Sequence, residues 1–222
     1  TWFSTDNRRT GGERCAGMED RQRAARWSSG LAGVTDEIAD HWAGAWMRHS
    51  DDAGVTWGPP KKVMLTTPHG PILLRTGSLL YVGKHFADME RFTRGDGPVV
   101  AMSSTDGGRE WVVVSTLPQY KKTVENHYHE AHVGELPDGR LLALVRVEDA
   151  KGQPVSAAGI EDFSLLQTLS EDRGRTWLPP VPLGFHGAPP HLLMHSSGAL
   201  LCTYGYRKHP YGQRAMISRD GG

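Results

Sequence analysis

One eight-residue pattern recurs along this 222-residue chain and narrows its possible folds more than any other feature. "SDDAGVTW" (50–57), "STDGGREW" (104–111) and "SEDRGRTW" (170–177) all fit S-x-D-x-G-x-x-W. "SRDGG" (218–222) follows the pattern as far as its Gly, and "STDNRRTG" (4–11) is a degenerate copy that keeps Ser4, Asp6 and Thr10. The aspartates stand at 6, 52, 106, 172 and 220, giving spacings of 46, 54, 66 and 48 residues. That is close to the length of one four-stranded propeller blade, roughly 40–50 residues. A unit of this length cannot bury its apolar face alone, so the copies must stack against one another.

The chemistry of the pattern is that of a tight turn. Ser and Asp oxygens accept bonds from turn amides, Gly takes a backbone conformation barred to other residues, and Trp opens the next strand with a large ring to bury. A catalytic role for Asp172 is disfavoured by the recurrence, because an active site is needed once and a hairpin in every unit. A second repeat interleaves with the first: "LLRTGSLLYVGK" (73–84), "ELPDGRLLALVR" (135–146) and "LMHSSGALLCTYGYR" (193–207). Each reads as a strand, a turn around Gly77, Gly139 or Gly198, and an apolar strand. Met64, Met102 and Met194 read as core of these units. Each unit is then strand a, Gly turn, strand b, variable loop, strand c, Asp turn, strand d. Because strands alternate in direction, both turns lie on one face of the disc, and function is to be sought on the other.

That other face collects "TTPHGP" (66–71), "GKHF" (83–86), "NHYHEAHVGE" (126–135), "VRVED" (145–149), "FHGAPPHLL" (185–193) and "YGYRKHPYG" (204–212). The candidate site residues are Glu130, Arg146, Arg207, His69, His85, His132, His191 and Tyr204. A surface salt bridge is the bland account of Glu130 and Arg146, but a carboxylate flanked by His129 and His132 and facing two arginines is more than a solvated pair requires. "HYHEAH" invites a metal, yet on a strand His127 and His129 point one way while Glu130 and His132 point the other, and the pattern is not the helical H-E-x-x-H. Hydrogen bonding to a polar ligand is the expectation, with no metal and no cofactor.

Composition removes several classes. Twenty-five Lys and Arg balance 25 Asp and Glu, so no basic surface calls for nucleic acid. No apolar run reaches the 18 or more residues of a membrane span. Cys15 and Cys202 are the two cysteines, enough for a free thiol pair or one bridge and too few for a disulfide framework. The sequence starts at Thr1 with no charged-then-apolar leader and fixes no compartment.

With its S-x-D-x-G-x-T-W boxes, the chain resembles the sialidase superfamily of six-bladed propellers, over nearly its whole length from Ser50 and more weakly from Ser4. The resemblance implies an all-β, incomplete six-bladed propeller with about four blades present. Its expected limits are 1–11 for the end of blade one, 12–58, 59–115 and 116–182 for blades two to four, and 183–222 for most of blade five, all within one partial domain. In bacterial exo-sialidases a glutamate opens the first strand of the fourth blade and an arginine ends the next strand; Glu130, "ELPDG" and Arg146 match. The resemblance implies that Glu130 polarises a tyrosine nucleophile and that Arg146 holds a substrate carboxylate. It places a further arginine at Arg207, with Arg214 the weaker alternative. The family's general acid and its tyrosine would fall outside Thr1–Gly222, so the chain is expected to be part of a larger ring. The implied function is exo-glycosidase action on terminal, acidic sugars of glycans, in a secreted or periplasmic bacterial protein. The alternative is a propeller that binds glycans without cleaving them.

Overall fold

The computed structural model describes residues 2–3, 22, 25–26, 29–30, 33–42, 44–85, 97–150 and 152–222. The degenerate box at 4–11, Cys15 and Phe86 lie outside these residues. The chain separates into two compact units, Thr1–Met64 with Asp88–Arg94, and Leu65–Ala87 with Gly95–Gly222.

The first unit carries an antiparallel sheet of β1 (Trp2–Phe3), β2 (Gly44–Met47) and β3 (Lys61–Val63), in that order. Preceding β2 is α1 (Asp36–Trp42). Thr35 Oγ1 caps it by accepting the Ile38 amide at 3.2 Å. At its end the Trp46 indole donates to the Trp42 carbonyl at 2.9 Å, with the two rings 5.0 Å apart. Seven residues are two turns, too short a window for a helical period to show in the sequence.

The second unit holds three antiparallel sheets. The first is built from β4 (Leu65–Thr66), β5 (Ile72–Leu73), β6 (Leu79–His85), β7 (Val99–Ser104) and β8 (Val112–Thr116). Next comes the sheet of β9 (Tyr128–Glu135), β10 (Leu141–Val147), β11 (Ser164–Ser170) and β12 (Val181–His186). The last contains β13 (Pro190–Met194), β14 (Leu200–Tyr206) and β15 (Gly212–Ser218). Successive meanders of this kind are propeller blades, and the fold is a β-propeller. The strand after each Asp turn completes the sheet before it, so sheets end at Val63, Thr116 and His186.

The Asp turns form as their chemistry requires. Ser170 Oγ donates to Asp172 Oδ1 at 2.9 Å and accepts the Gly174 amide at 2.8 Å. Asp172 accepts the Thr176 amide at 2.8 Å and its hydroxyl at 2.6 Å, and these bonds lower its carboxyl to about 2. Gly174 sits at φ +83, a conformation that favours glycine. The expected burial of the Trp rings holds only in part. Trp177 is 9% exposed and donates to Ser115 Oγ on the neighbouring sheet at 3.0 Å, whereas Trp57 is 56% exposed and donates back to Gly54. A Trp is buried where a neighbouring sheet reaches its ring.

Alternation along β10 explains how the sheets stack. Leu141, Ala143, Val145 and Val147 enter one apolar cluster with Leu80, Val82 and Ala101 of the preceding sheet. Leu142 and Leu144 enter a second cluster with Leu192, Leu200 and Cys202 of the following sheet. Both faces of β10 are thus buried, which is why its sequence is almost continuously apolar. Cys202 is a free, buried thiol. The Gly turns share an end with the Asp turns: Arg75 donates to the Leu136 and Pro137 carbonyls at 2.8 Å, and Gly174 packs on Leu80 and Leu141. The opposite end of β9 and β10 carries Glu130 and Arg146.

Candidate functional site

Strict alternation would send His129 and Glu130 to opposite faces, but β9 does not keep it. Val145 pairs with Ala131 and Val147 with Tyr128, so two residues, His129 and Glu130, stand opposite the single Arg146. This bulge re-aims both side chains. Arg146 Nη1 donates to Glu130 Oε1 at 2.9 Å and Oε2 at 2.7 Å, while Nη2 donates to Glu148 Oε2. The other oxygen of Glu148 lies 3.1 Å from His129 Nε2. Arg146 is the next even-numbered position after Leu142 and Leu144, so its stem continues that face of the core. Its guanidinium carbon lies 4.9 Å from the Phe163 ring centroid, and Nε is buried without a partner among the described residues.

Arg207 comes to the same ring, its guanidinium carbon 5.4 Å from the Phe163 centroid. It donates through Nε to the Ala188 carbonyl at 3.0 Å. Phe163, Arg207, His69, His191, Tyr204 and Tyr206 are among the residues lining a cleft of about 670 Å³. Convergent polar groups on an aromatic wall are the usual make-up of a small-molecule site.

Of the expected residues, Glu130, Arg146 and Arg207 thus gather around one ring, and His69, His191 and Tyr204 border the cleft beside it. His132 lies behind that wall. It is 4% exposed, its Nδ1 accepts the Leu192 amide at 2.8 Å, and its ring stacks on His191 at 4.4 Å and 18°. His132 therefore supports the cleft rather than lining it. His85 does not line the cleft: at the end of β6 its backbone is held between Leu65 of β4 and the Pro98 carbonyl. Both terminal nitrogens of Arg146 bond protein carboxylates. Among the described residues no group of three or more His, Cys, Asp or Glu is arranged to hold a metal ion.

Sequence reasoning missed Glu148, Phe163 and the buried Lys84. Glu148 was legible, because it follows Arg146 by two and the Glu148 amide extends the ladder to the His127 carbonyl at 3.0 Å. Lys84 donates to the Glu125 and Tyr128 carbonyls at 2.8 and 2.7 Å beneath the bulge. Nothing in its strand sequence marks that burial. Phe163 sits in a loop at φ +57, where no periodicity operates.

Burial lowers the His69 imidazole to about 4 and His132 to about 3, with repulsion from His191 adding to both. Burial also lowers His129, against the pull of Glu148. These histidines are neutral in the folded protein at pH 7. Protons taken up only by the unfolded chain destabilise the fold, so the contribution of His69 and His132 is complete above about pH 6.5 and is lost as pH falls toward 4. Thermal melts from pH 7.5 to 4 should show a falling midpoint, and His132→Gln should flatten that fall. An equal slope in both proteins would mean that His132 is not the group held neutral.

No protein-family model matches the chain, and no curated protein matches it. Solved structures do. A protein of unknown function from Dyadobacter fermentans aligns with a TM-score of 0.63 at 23% identity, over 78% of this chain and 48% of its own. The α-L-arabinanase of Penicillium chrysogenum, solved with arabinobiose, aligns with a TM-score of 0.58 at 16% identity, over 81% and 57%. The NanB sialidase of Streptococcus pneumoniae aligns with a TM-score of 0.52 at 17% identity, over 78% and 25%. The chain spans about half the length of the first two, and at these identities the likeness speaks for the fold. Propeller glycosidases of more than one substrate class are among the structural neighbours.

Proposed function

We propose that this chain carries part of the active site of an exo-acting glycoside hydrolase built on a six-bladed propeller. The observation that carries the reading is the placement of Glu130. Its carboxylate sits at the end of the β9–β10 hairpin remote from the turns, held on both oxygens by Arg146 and beside a cleft walled by aromatic rings and Arg207. Glu130 keeps 29% side-chain exposure, so a reacting group can reach it. A fixed carboxylate in such a cleft can accept a proton from a nucleophile or from water as a glycosidic bond breaks. On the sialidase-like form of this reading, Glu130 takes the proton of a tyrosine, and Arg207 faces the sugar while Arg146, bonded through both terminal nitrogens, holds Glu130 and Glu148 in place. The structural likeness to arabinanase and sialidase propellers supports glycosidase action in general.

Assay of the full-length protein against fluorogenic sialosides, arabinofuranosides and galactosides tests the reading. Release of fluorophore from at least one class is the expected result. Binding of a glycan with no turnover on any substrate would make the protein a glycan-binding propeller, and neither binding nor turnover would remove the proposal.

A further inference from the structure

Resting on that reading, we infer that the terminal sugar taken at Arg146 is neutral, because Glu148 already occupies the guanidinium edge on which an acid sugar's carboxylate would have to lie. A guanidinium grips a carboxylate through two parallel N–H bonds from neighbouring nitrogens. In Arg146 one terminal nitrogen is taken by both oxygens of Glu130 and the other by Glu148, and Nε is buried. What remains is a single N–H of Nη2, not the two parallel donors from neighbouring nitrogens that a carboxylate grip needs.

Glu148 is not free to swing aside. Its second oxygen is held by His129 Nε2 at 3.1 Å, and its backbone amide is fixed to the His127 carbonyl at 3.0 Å. An incoming carboxylate would have to break the Arg146–Glu148 bond and then sit against two glutamates of its own charge, in a setting where Arg146 is only 12% exposed. Around Phe163 itself the guanidiniums of Arg146 and Arg207 meet the carboxylates of Glu130 and Glu148, two against two; the further cations nearby are turned away, Lys84 to the Glu125 and Tyr128 carbonyls and Arg214 onto the Tyr206 ring. Arg207 alone, exposed at the rim, offers a carboxylate a solvent-screened contact.

A neutral sugar meets the opposite situation. Its hydroxyls donate, and the remaining lone pairs of Glu130 and Glu148 accept, so the two carboxylates that exclude an acid are the groups that recognise a polyol. Aromatic rings in the adjacent cleft, Tyr204 and Tyr206, supply apolar surface for the face of a sugar ring. Glu148 is thus a specificity-determining residue, and Arg146 a cross-link that positions two carboxylates.

Matched glycosides that differ only in a CH2OH or COO⁻ group test this on the full-length protein: methyl galactoside against methyl galacturonide, and methyl glucoside against methyl glucuronide, with a methyl sialoside as a third acid. Titration calorimetry should show at least one neutral member bound at least tenfold more tightly than its acidic partner. Glu148→Ala should narrow or reverse that ratio by tenfold or more, by opening the second nitrogen of Arg146. Glu148→Gln, which keeps the shape and removes the charge, should move it in the same direction should the alanine variant fail to fold. Preferential binding of an acidic member by the unmodified protein overturns the inference and leaves the glycosidase reading standing. Binding of none of the five by any variant overturns the inference, and the glycosidase reading is then decided by the turnover assay that includes arabinofuranosides.

Discussion

Leu144→Ala is expected to destabilise the protein by about 2–5 kcal/mol, the range for truncating a buried leucine in a core that cannot collapse around the gap. Leu144 is 2% exposed and packs in the cluster shared by β10 with Leu192, Leu200 and Cys202 of the next sheet. That cluster is the seam between two blades. Its two sides are separately braced by their own ladders, so neither can close a cavity by moving alone. A domain is typically stable by about 5–15 kcal/mol, so the loss is a large fraction of the whole. Leu144→Met, nearly equal in volume, should lose under about 1.5 kcal/mol. Urea unfolding followed by fluorescence measures both. A loss below about 1 kcal/mol for the alanine variant would mean that the two sheets adjust freely, and that the seam is not a tightly packed one.

That seam was legible in the sequence, and the reasons separate what could be read from what could not. The boxes around Asp52, Asp106 and Asp172 encode their own geometry, because donors, acceptors and the glycine all lie within eight residues. The Gly turns at 77, 139 and 198 are equally local, with φ of +84, +88 and +83. Two interleaved local signals at blade spacing were enough to give the fold and the face that carries Glu130 and Arg146. The lost information is non-local. Whether Trp57 or Trp177 is buried depends on which neighbour reaches it. The bulge at His129 and Glu130 is a property of the pairing with Arg146, not of either strand alone, and it breaks the alternation on which the sequence argument relied. The residue type of His132 suits a ligand, whereas in the fold the Leu192 amide of another sheet claims its ring nitrogen. The helix at 36–42 is too short to announce itself.

The second large effect concerns turnover. On the proposed glycosidase reading, Glu130→Gln in the full-length protein should lower kcat by about 10²–10⁴-fold, the usual contribution of a positioned acid or base. At about 1.4 kcal/mol per tenfold, that is a loss of roughly 3–5.5 kcal/mol of transition-state stabilisation. The amide keeps the length and planarity of the carboxylate and one acceptor toward Arg146, but it cannot take up a proton. Substrate binding should therefore change far less than turnover, which separates a chemical role from a structural one. One complication has a measurable sign. The amide NH2 faces Arg146 Nη1, a donor against a donor, where the carboxylate presented two acceptors at 2.9 and 2.7 Å. The side chain will turn to present its oxygen, and the melting temperature will fall modestly. Loss of binding in parallel with turnover would make Glu130 a structural prop for Arg146. Turnover within a factor of about three of the unmodified protein, far below the range for a lost acid or base, would show that the proton goes elsewhere and that this carboxylate is not the base.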